Sequence, residues 1–306
     1  MSEEIKKEEE VKVHISFSEY TNYKWCPYQW FLKYISGRKE PANEFLVFGS
    51  ALHKSIEEII LKNPNRFTYA KLFGEKLKAE SSTVFSNSYF GKSLGSDGIQ
   101  LLSKLDFYSR FKNWEPTKDN EGKIIGVEEA IYEPLVTAED GTQLYFKGFI
   151  DFAAKHKVEN KHMILDWKTA LKPWDVEKKV GEIGFDELYS KMKTHEPLNV
   201  KESQNIMSKI YFGQPVLYKY FYSQKHNIPI EDIIIRYCVL SRQPIDIIQY
   251  ELESSIDFMN CIVEDIKKVA LEIYEFKKSL DKELVKAKFH PHLKDFCKYC
   301  KLKSEC

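Results

Sequence analysis

The chain has 306 residues, of which 43% are hydrophobic and 30% charged, and 46 lysines and arginines balance 46 aspartates and glutamates. The zero net charge excludes a histone-like basic protein and an acidic tail protein, so any contact with nucleic acid would depend on a local basic groove. No apolar stretch approaches the roughly 18 residues of a membrane span, and the charged start lacks the apolar core of a secretory signal. We therefore expect a cytoplasmic protein that does not contact membranes.

The first part of the chain is predicted to be helical. Residues 1–12 are charged and are predicted to form a disordered arm. Apolar spacing predicts helices over 15–34, 49–62 and 66–114, with a Gly/Ser interruption at 91–98. Ser16 or Ser18 is expected to cap the first helix, Cys26 and Pro27 to start a second, and Asn63 with Pro64 to end the next.

After Gly122 the composition of the chain favours strands. Residues rich in β-formers predict three strands, at 124–136, 144–152 and 162–168. Asp140 and Gly141 between the first two strands are a strong hairpin signal, so the three are expected to form an antiparallel meander. A helix at 204–226, a strand at 233–240 and an amphipathic helix at 256–280 follow. This order predicts a mixed α/β core with a helical N-terminal half.

One elaborated domain is expected to span residues 13–306. It would carry a helical insertion at about 64–118, a lysine-rich insertion at about 171–204 and a cysteine tail at 290–306. Basic residues beside Trp167 and Trp174 suggest a surface for single-stranded nucleic acid.

An acid and a lysine are predicted to share one face of the third strand. Strand periodicity points Asp166 and Lys168 the same way. If the turn is centred between Val158 and Glu159, Asp151 falls opposite Asp166, and like charges in such a pair are destabilising. A cation is therefore expected between the two carboxylates.

A hard divalent ion, Mg²⁺ or Mn²⁺, is the simplest cation for this position, because it prefers carboxylate oxygens and binds substrate phosphates. It would lower the pKa of a water molecule, while Lys168 neutralises developing charge. This is the chemistry of phosphodiester hydrolysis. The structural alternative is a salt bridge between Asp151 and Lys168, with Asp166 capping a turn. Glu128 or Glu129 on the first strand is a further candidate acid.

Four motifs in order resemble the PD-(D/E)XK nuclease superfamily, and within it the RecB/AddB-like and CRISPR-adaptation nucleases. They are Gly49-x-x-x-His53, Gly148-Phe-Ile-Asp151-Phe, Asp166-Trp-Lys168 and Gln214-x-x-x-Tyr218. The resemblance implies a restriction-endonuclease-like core, a mixed sheet flanked by helices. It implies that His53, Asp151, Asp166 and the Trp167 carbonyl ligate the metal, and that Lys168 is catalytic. Gln214 and Tyr218 would support the site or contact DNA.

The cysteines suggest a second metal site at the end of the chain. Cys297, Cys300 and Cys306 give a Cys-x2-Cys-x5-Cys pattern, and three thiolates need a fourth ligand, for which Cys26 is the candidate. The layout resembles the [4Fe–4S] cluster that closes the chain of the AddB and CRISPR-adaptation nucleases. A structural Zn²⁺ is the alternative, with His290 or His292 as substitute ligands. Cys238 and Cys261 are expected to be core residues.

These features together predict a metal-dependent DNA nuclease, an exonuclease acting on DNA ends or single strands in recombination, repair or DNA processing. No helicase motif is present, so a helicase or recombination protein is the expected partner. The alternatives are a catalytically weak nuclease-like DNA-binding subunit and a zinc-stapled interaction module.

Overall fold

A computed structural model describes residues 13–38, 43–80, 89–173, 200–252 and 256–279. The helices are α1 Phe17–Trp25, α2 Pro27–Trp30, α3 Glu44–Lys62, α4 Tyr69–Glu80, α5 Tyr89–Leu105, α6 Phe107–Arg110, α7 Val200–His226 and α8 Ile256–Ser279. The strands are β1 His14–Ser16, β2 Trp114–Pro116, β3 Val127–Thr137, β4 Gln143–His156, β5 His162–Ala170, β6 Ile233–Arg242 and β7 Ile245–Leu252. The predicted arm and the cysteine tail lie outside these residues, as does most of the insertion predicted at 171–204.

Seven strands form one mixed sheet around β4. Strands β2 and β3 pair antiparallel with one edge of β4. The other edge pairs first with β1, in parallel, and then with β5, antiparallel. Strand β6 continues the sheet parallel to β5, and β7 closes it antiparallel to β6. The predicted α/β class and the mixed central sheet with its antiparallel hairpin are confirmed.

The helix boundaries follow the local signals in the sequence. The Ser16 hydroxyl accepts the backbone N–H of Glu19, and Cys26 caps α2, whose first residue is Pro27. Helix α3 begins earlier than predicted, because the Asn43 side chain accepts the N–H of Leu46. It ends at Asn63 in the left-handed conformation, as predicted.

Two groups of apolar side chains cover the two faces of the sheet. The first core packs α1, α7 and α8 against residues such as Phe146 and Ile150 of β4. The second packs α3, α4 and α5 against residues such as Phe152 of β4, Trp167 of β5 and Cys238 of β6. Trp167 is only 2% exposed, so its predicted role in stacking nucleic-acid bases is wrong. Trp174 lies outside the described residues.

Three strands and one helical segment differ from the prediction. Strands β1 and β2 have three residues each, too short for periodicity to reveal. Strand β7, which follows the turn at Gln243–Pro244, was not predicted. The predicted interruption at 91–98 is wrong, because α5 runs through it. Gly98 lies where a Cβ would come within 2.2 Å of the Phe73 ring. This glycine allows two helices to approach and does not break the helix.

Replacing Gly98 with alanine should therefore destabilise the protein by about 1–3 kcal/mol, because the buried Phe73 ring has no room to retreat. Gly95→Ala is the matched control, since a Cβ at that position of the same helix meets nothing within 4 Å. The control should be neutral or more stable by up to about 1 kcal/mol. Urea unfolding of both variants measures the difference, and equal stabilities would contradict this packing.

Candidate active site

The candidate site lies at a gap along one edge of β4. That edge pairs with β1 up to Lys147 and with β5 from Phe152 onward. Asp151 lies at the end of the gap, and its Oδ2 accepts the backbone N–H of Trp167 at 2.7 Å. The pairing of Phe152 with Leu165 is the register predicted from the sequence, in which Asp151 faces Asp166. A carboxylate thus takes the place of a backbone acceptor where the two strands begin to separate.

The hairpin is irregular at the same position. Ile150 belongs to the first core and Phe152 to the second, although regular alternation would put both on one face. Opposite Asp151, Glu128 has φ +51° and lies between the paired residues Val127 and Glu129. Such irregularities redirect side chains and are frequent beside active sites. Here the irregularity brings two acids to one point.

Three potential metal ligands converge at this point. One ligand atom each from His53, Glu128 and Asp151 lie within 4.8 Å of one another. His53 projects from α3, and its Nδ1 is 3.6 Å from Asp151 Oδ2. Gly49 lies one turn earlier on α3. A Cβ at this position would come within 3.2 Å of Thr169 Oγ1, which is a tight contact. The small residue therefore lets α3 approach β5 closely enough to deliver the imidazole.

The protonation of these groups reflects their burial. Burial lowers the pKa of His53, against the opposing effect of the Asp166 carboxylate. The pKa of Asp151 is well above its usual range, first because of burial and then because of Asp166. The pKa of Glu128 is raised by burial and by the nearby Glu57 and Asp166. A neutral imidazole and crowded carboxyl groups result, and a cation would relieve this crowding.

Asp166 and Lys168 form the adjacent part of the site. Asp166 Oδ2 is buried and lies 2.6 Å from Lys168 Nζ, an ion pair whose angles fall outside those of a hydrogen bond. Lys168 Nζ donates to Gln214 Oε1 at 3.4 Å, and Gln214 Nε2 donates to Tyr218 Oη at 3.0 Å. The lysine is therefore held from both sides, by Asp166 on its own strand and by an amide on α7.

Tyr218 anchors this chain of contacts. Its ring lies against Gly148, where a Cβ would come within 2.5 Å of Tyr218 Cε1. Burial raises the pKa of Tyr218 to about 12, so the hydroxyl stays protonated at neutral pH. Tyr218 thus connects two of the sequence motifs, because its ring packs on Gly148 of the hairpin and its hydroxyl accepts from Gln214 on α7.

The donor set fits a hard divalent cation. The described residues offer one neutral imidazole and three carboxyl groups, those of Glu128, Asp151 and Asp166, with Lys168 as the neighbouring positive charge. Imidazole and carboxylate ligands suit Mn²⁺, and carboxylates with waters suit Mg²⁺. No thiol contributes to this group, which disfavours a softer ion.

The structure brings most of the predicted site residues together. Predicted ligands His53 and Asp151 lie in one cluster, and the Trp167 backbone is close enough to the His53 ring to affect its pKa. Predicted ligand Asp166 is paired with Lys168, and the third member of the cluster is Glu128. The sequence left Glu128 and Glu129 undecided. Glu129 Oε1 instead lies 2.7 Å from Lys225 and 2.6 Å from His226, away from the cluster.

The predicted cysteine site is described in part. Cys26 is buried at the start of α2, where its Sγ accepts the Gln29 N–H at 3.3 Å. Cys297, Cys300 and Cys306 lie outside the described residues. Cys238 is fully buried in the core, as predicted, and Cys261 is half-buried on α8.

Comparison with known proteins identifies the family. A model of the PD-(D/E)XK nuclease superfamily matches residues 14–306. A crystal structure described as "Putative exonuclease" from Eubacterium rectale is similar, with a TM-score of 0.50 and 14% identity, over 98% of this chain and 92% of that one. A second structure, of SSO0001, has a TM-score of 0.31 and 15% identity, over 94% of this chain and 95% of that one. A search of the curated proteins finds no match.

The chain therefore belongs to the PD-(D/E)XK nuclease superfamily, which makes it a nuclease with DNA as the substrate that the family implies. The Eubacterium rectale structure supports the same fold and, at 14% identity, nothing more specific. No helix among the described residues has the length and apolarity to cross a membrane.

Glu128 and Glu57 provide a matched pair for testing the metal site. Removing the Glu128 charge with Glu128→Gln should weaken Mn²⁺ binding on the order of tenfold or more, because it removes an anionic ligand. Glu57→Gln removes a neighbouring charge that raises the pKa of Glu128 but lies outside the ligand cluster. It should change the affinity far less. Isothermal titration of Mn²⁺ measures both, and equal losses would contradict a ligand role for Glu128.

Proposed function

We propose that the protein is a Mg²⁺- or Mn²⁺-dependent exonuclease that degrades DNA from ends or single strands. The observation that carries the proposal is the convergence of His53, Glu128 and Asp151 beside the Asp166–Lys168 ion pair. The motif likeness to the RecB/AddB-like branch supports the exonuclease assignment. We further propose a role in recombination, repair or DNA processing, with a separate helicase or recombination protein as partner.

The residues have separable roles in this proposal. His53, Glu128, Asp151 and Asp166 would hold the metal together with the Trp167 carbonyl, and the bound ion would supply Lewis acidity and a water of lowered pKa. Lys168 offers a positive charge to the phosphate as negative charge develops during cleavage. Gln214 and Tyr218 keep the lysine in place, because its ammonium group donates to the Gln214 carbonyl.

Cleavage of end-labelled DNA tests the enzyme directly. Asp166→Asn and Lys168→Ala should each lower the rate in Mg²⁺ or Mn²⁺ by about 100-fold or more, because the first weakens a metal ligand and the second removes the positive charge offered to the phosphate. Lys155→Ala replaces an exposed lysine at the C-terminal end of β4, four residues beyond Asp151; it is the control and should cleave at the wild-type rate. Equal, negligible activity in all four proteins would reject the enzyme and favour a DNA-binding subunit.

The exonuclease assignment has its own test. Linear single strands should be degraded progressively from an end, whereas closed circular single strands of the same sequence should resist, because they offer no end. Gel analysis of both substrates with one enzyme preparation makes the comparison. Rapid cutting of the circles would show an endonuclease and leave the metal site unaffected.

We also propose that Cys26, Cys297, Cys300 and Cys306 bind a [4Fe–4S] cluster, with structural Zn²⁺ as the alternative. The support is the position of Cys26 beside the end of the described chain. The Phe276 ring of α8 lies 6.1 Å from that of Tyr23 and 6.3 Å from that of Trp30, on either side of Cys26. The last turns of α8 therefore pack against the segment that carries Cys26. The N–H that donates to Cys26 Sγ would also stabilise a thiolate.

Metal analysis of two cysteine variants tests this site. Cys26→Ser should lose iron and broad visible absorption and should melt at a lower temperature, because the link between both ends of the chain is lost. Cys261→Ser, on the half-buried face of α8, should keep its iron. A colourless wild-type protein with stoichiometric zinc would support the alternative. A Cys26→Ser protein with its full metal content and Tm would contradict both.

A further inference from the structure

Beside the candidate metal ligands, one face of the β3–β4 hairpin lies outside both cores that the described residues form. Ile131, Phe146 and Ile150 point into the first core, so alternation puts their neighbours on the opposite face. Among the described residues, neither core includes the side chains of that face between residues 145 and 149 of β4. They are half-buried or exposed, and Phe149 is 48% exposed. This surface leads directly to Asp151.

The surface is aromatic and basic. The Tyr132 and Tyr145 rings stack with centroids 5.0 Å apart and planes at 17°. Lys147 lies opposite Tyr132, and Phe149 follows two residues later on the same face. We call Tyr132, Tyr145, Lys147 and Phe149 the aromatic strip. With a rise of about 3.3 Å per residue, the strip begins about 7 Å from Asp151 at Phe149 and reaches about 20 Å at Tyr145.

Aromatic rings that are half-buried or exposed beside a lysine match the chemistry of a single DNA strand. Bases of a single strand expose their faces and stack on aromatic side chains, while lysines meet the phosphates. Bases in a duplex are already stacked and cannot use these rings. An isolated exposed phenylalanine would be unremarkable, but Phe149 adjoins a stacked tyrosine pair and is two residues from a candidate metal ligand.

We propose that the aromatic strip binds the single-stranded part of the substrate and guides it to the metal site. This inference rests on the proposed function and specifies the form of its DNA. Phe149 would stack on a base near the cleaved phosphate, and the Tyr132–Tyr145 pair would hold the strand further away. Lys147, between these rings, would contact a phosphate.

Binding of a fluorescein-labelled oligo(dT) 20-mer, measured by anisotropy in EDTA, tests the strip without cleavage. Phe149→Ala should raise the Kd at least about fivefold, because one base loses its stacking partner. Phe149→Trp should restore the affinity, which a merely structural role would not predict. Phe67→Ala is the matched control, since Phe67 is 94% exposed and distant in sequence from the strip, and it should bind as the wild type does.

The salt dependence of binding distinguishes the contribution of Lys147 from that of the aromatic rings. Lys147→Ala should reduce the slope of log K against log salt concentration by about 0.7, the value for one phosphate contact on a single strand. Phe149→Ala should leave the slope unchanged, because stacking releases no counterions. A blunt duplex should bind more weakly than the 20-mer and should be insensitive to Phe149→Ala.

The outcomes distinguish this inference from the proposed function. Wild-type affinity in Phe149→Ala, or loss of affinity that Phe149→Trp does not restore, would overturn the aromatic strip. Cleavage of duplex ends without measurable single-strand binding would overturn the strip and leave the nuclease intact. A wild-type protein that neither binds nor cleaves DNA would overturn both.

Discussion

The candidate site depends on the break in pairing along one edge of β4. Between β1 and β5 this edge pairs with no strand of the described residues over 148–151, and the Trp167 N–H donates to the Asp151 carboxylate instead. The same break makes room for the Tyr218 ring over Gly148. A continuous ladder would turn these side chains away from one another. The site is therefore a property of strand order as much as of its residues.

The two cores hold the halves of the site in place. Helix α3, packed in the second core, brings His53 to the acids, while α7 in the first core brings Gln214 to Lys168. At Glu128 and Asp151 the alternation of side chains in the hairpin is interrupted, so that Ile150 points into the first core and Phe152 into the second. Burial, and then the neighbouring carboxyl groups, raise the pKa of Asp151 and Glu128 at this boundary, and a cation would stabilise their charged forms.

Much of this arrangement could be predicted from the sequence. The turn between β4 and β5 fixed the register that opposes Asp151 to Asp166, because antiparallel pairing leaves little freedom once the turn is placed. The choice between Glu128 and Glu129 could not be made, since it depends on a left-handed backbone at a non-glycine residue. Trp167 was misjudged for a related reason. Alternation placed it opposite Asp166, but only the helices show that its face is covered.

We propose that these acids and His53 share one divalent cation. Anomalous diffraction at the manganese edge, from crystals grown with Mn²⁺, would locate that ion. We expect a peak within coordinating distance of His53, Glu128 and Asp151, lost in crystals of Asp151→Asn. Manganese bound only elsewhere on the protein, with no peak among these three residues, would contradict it.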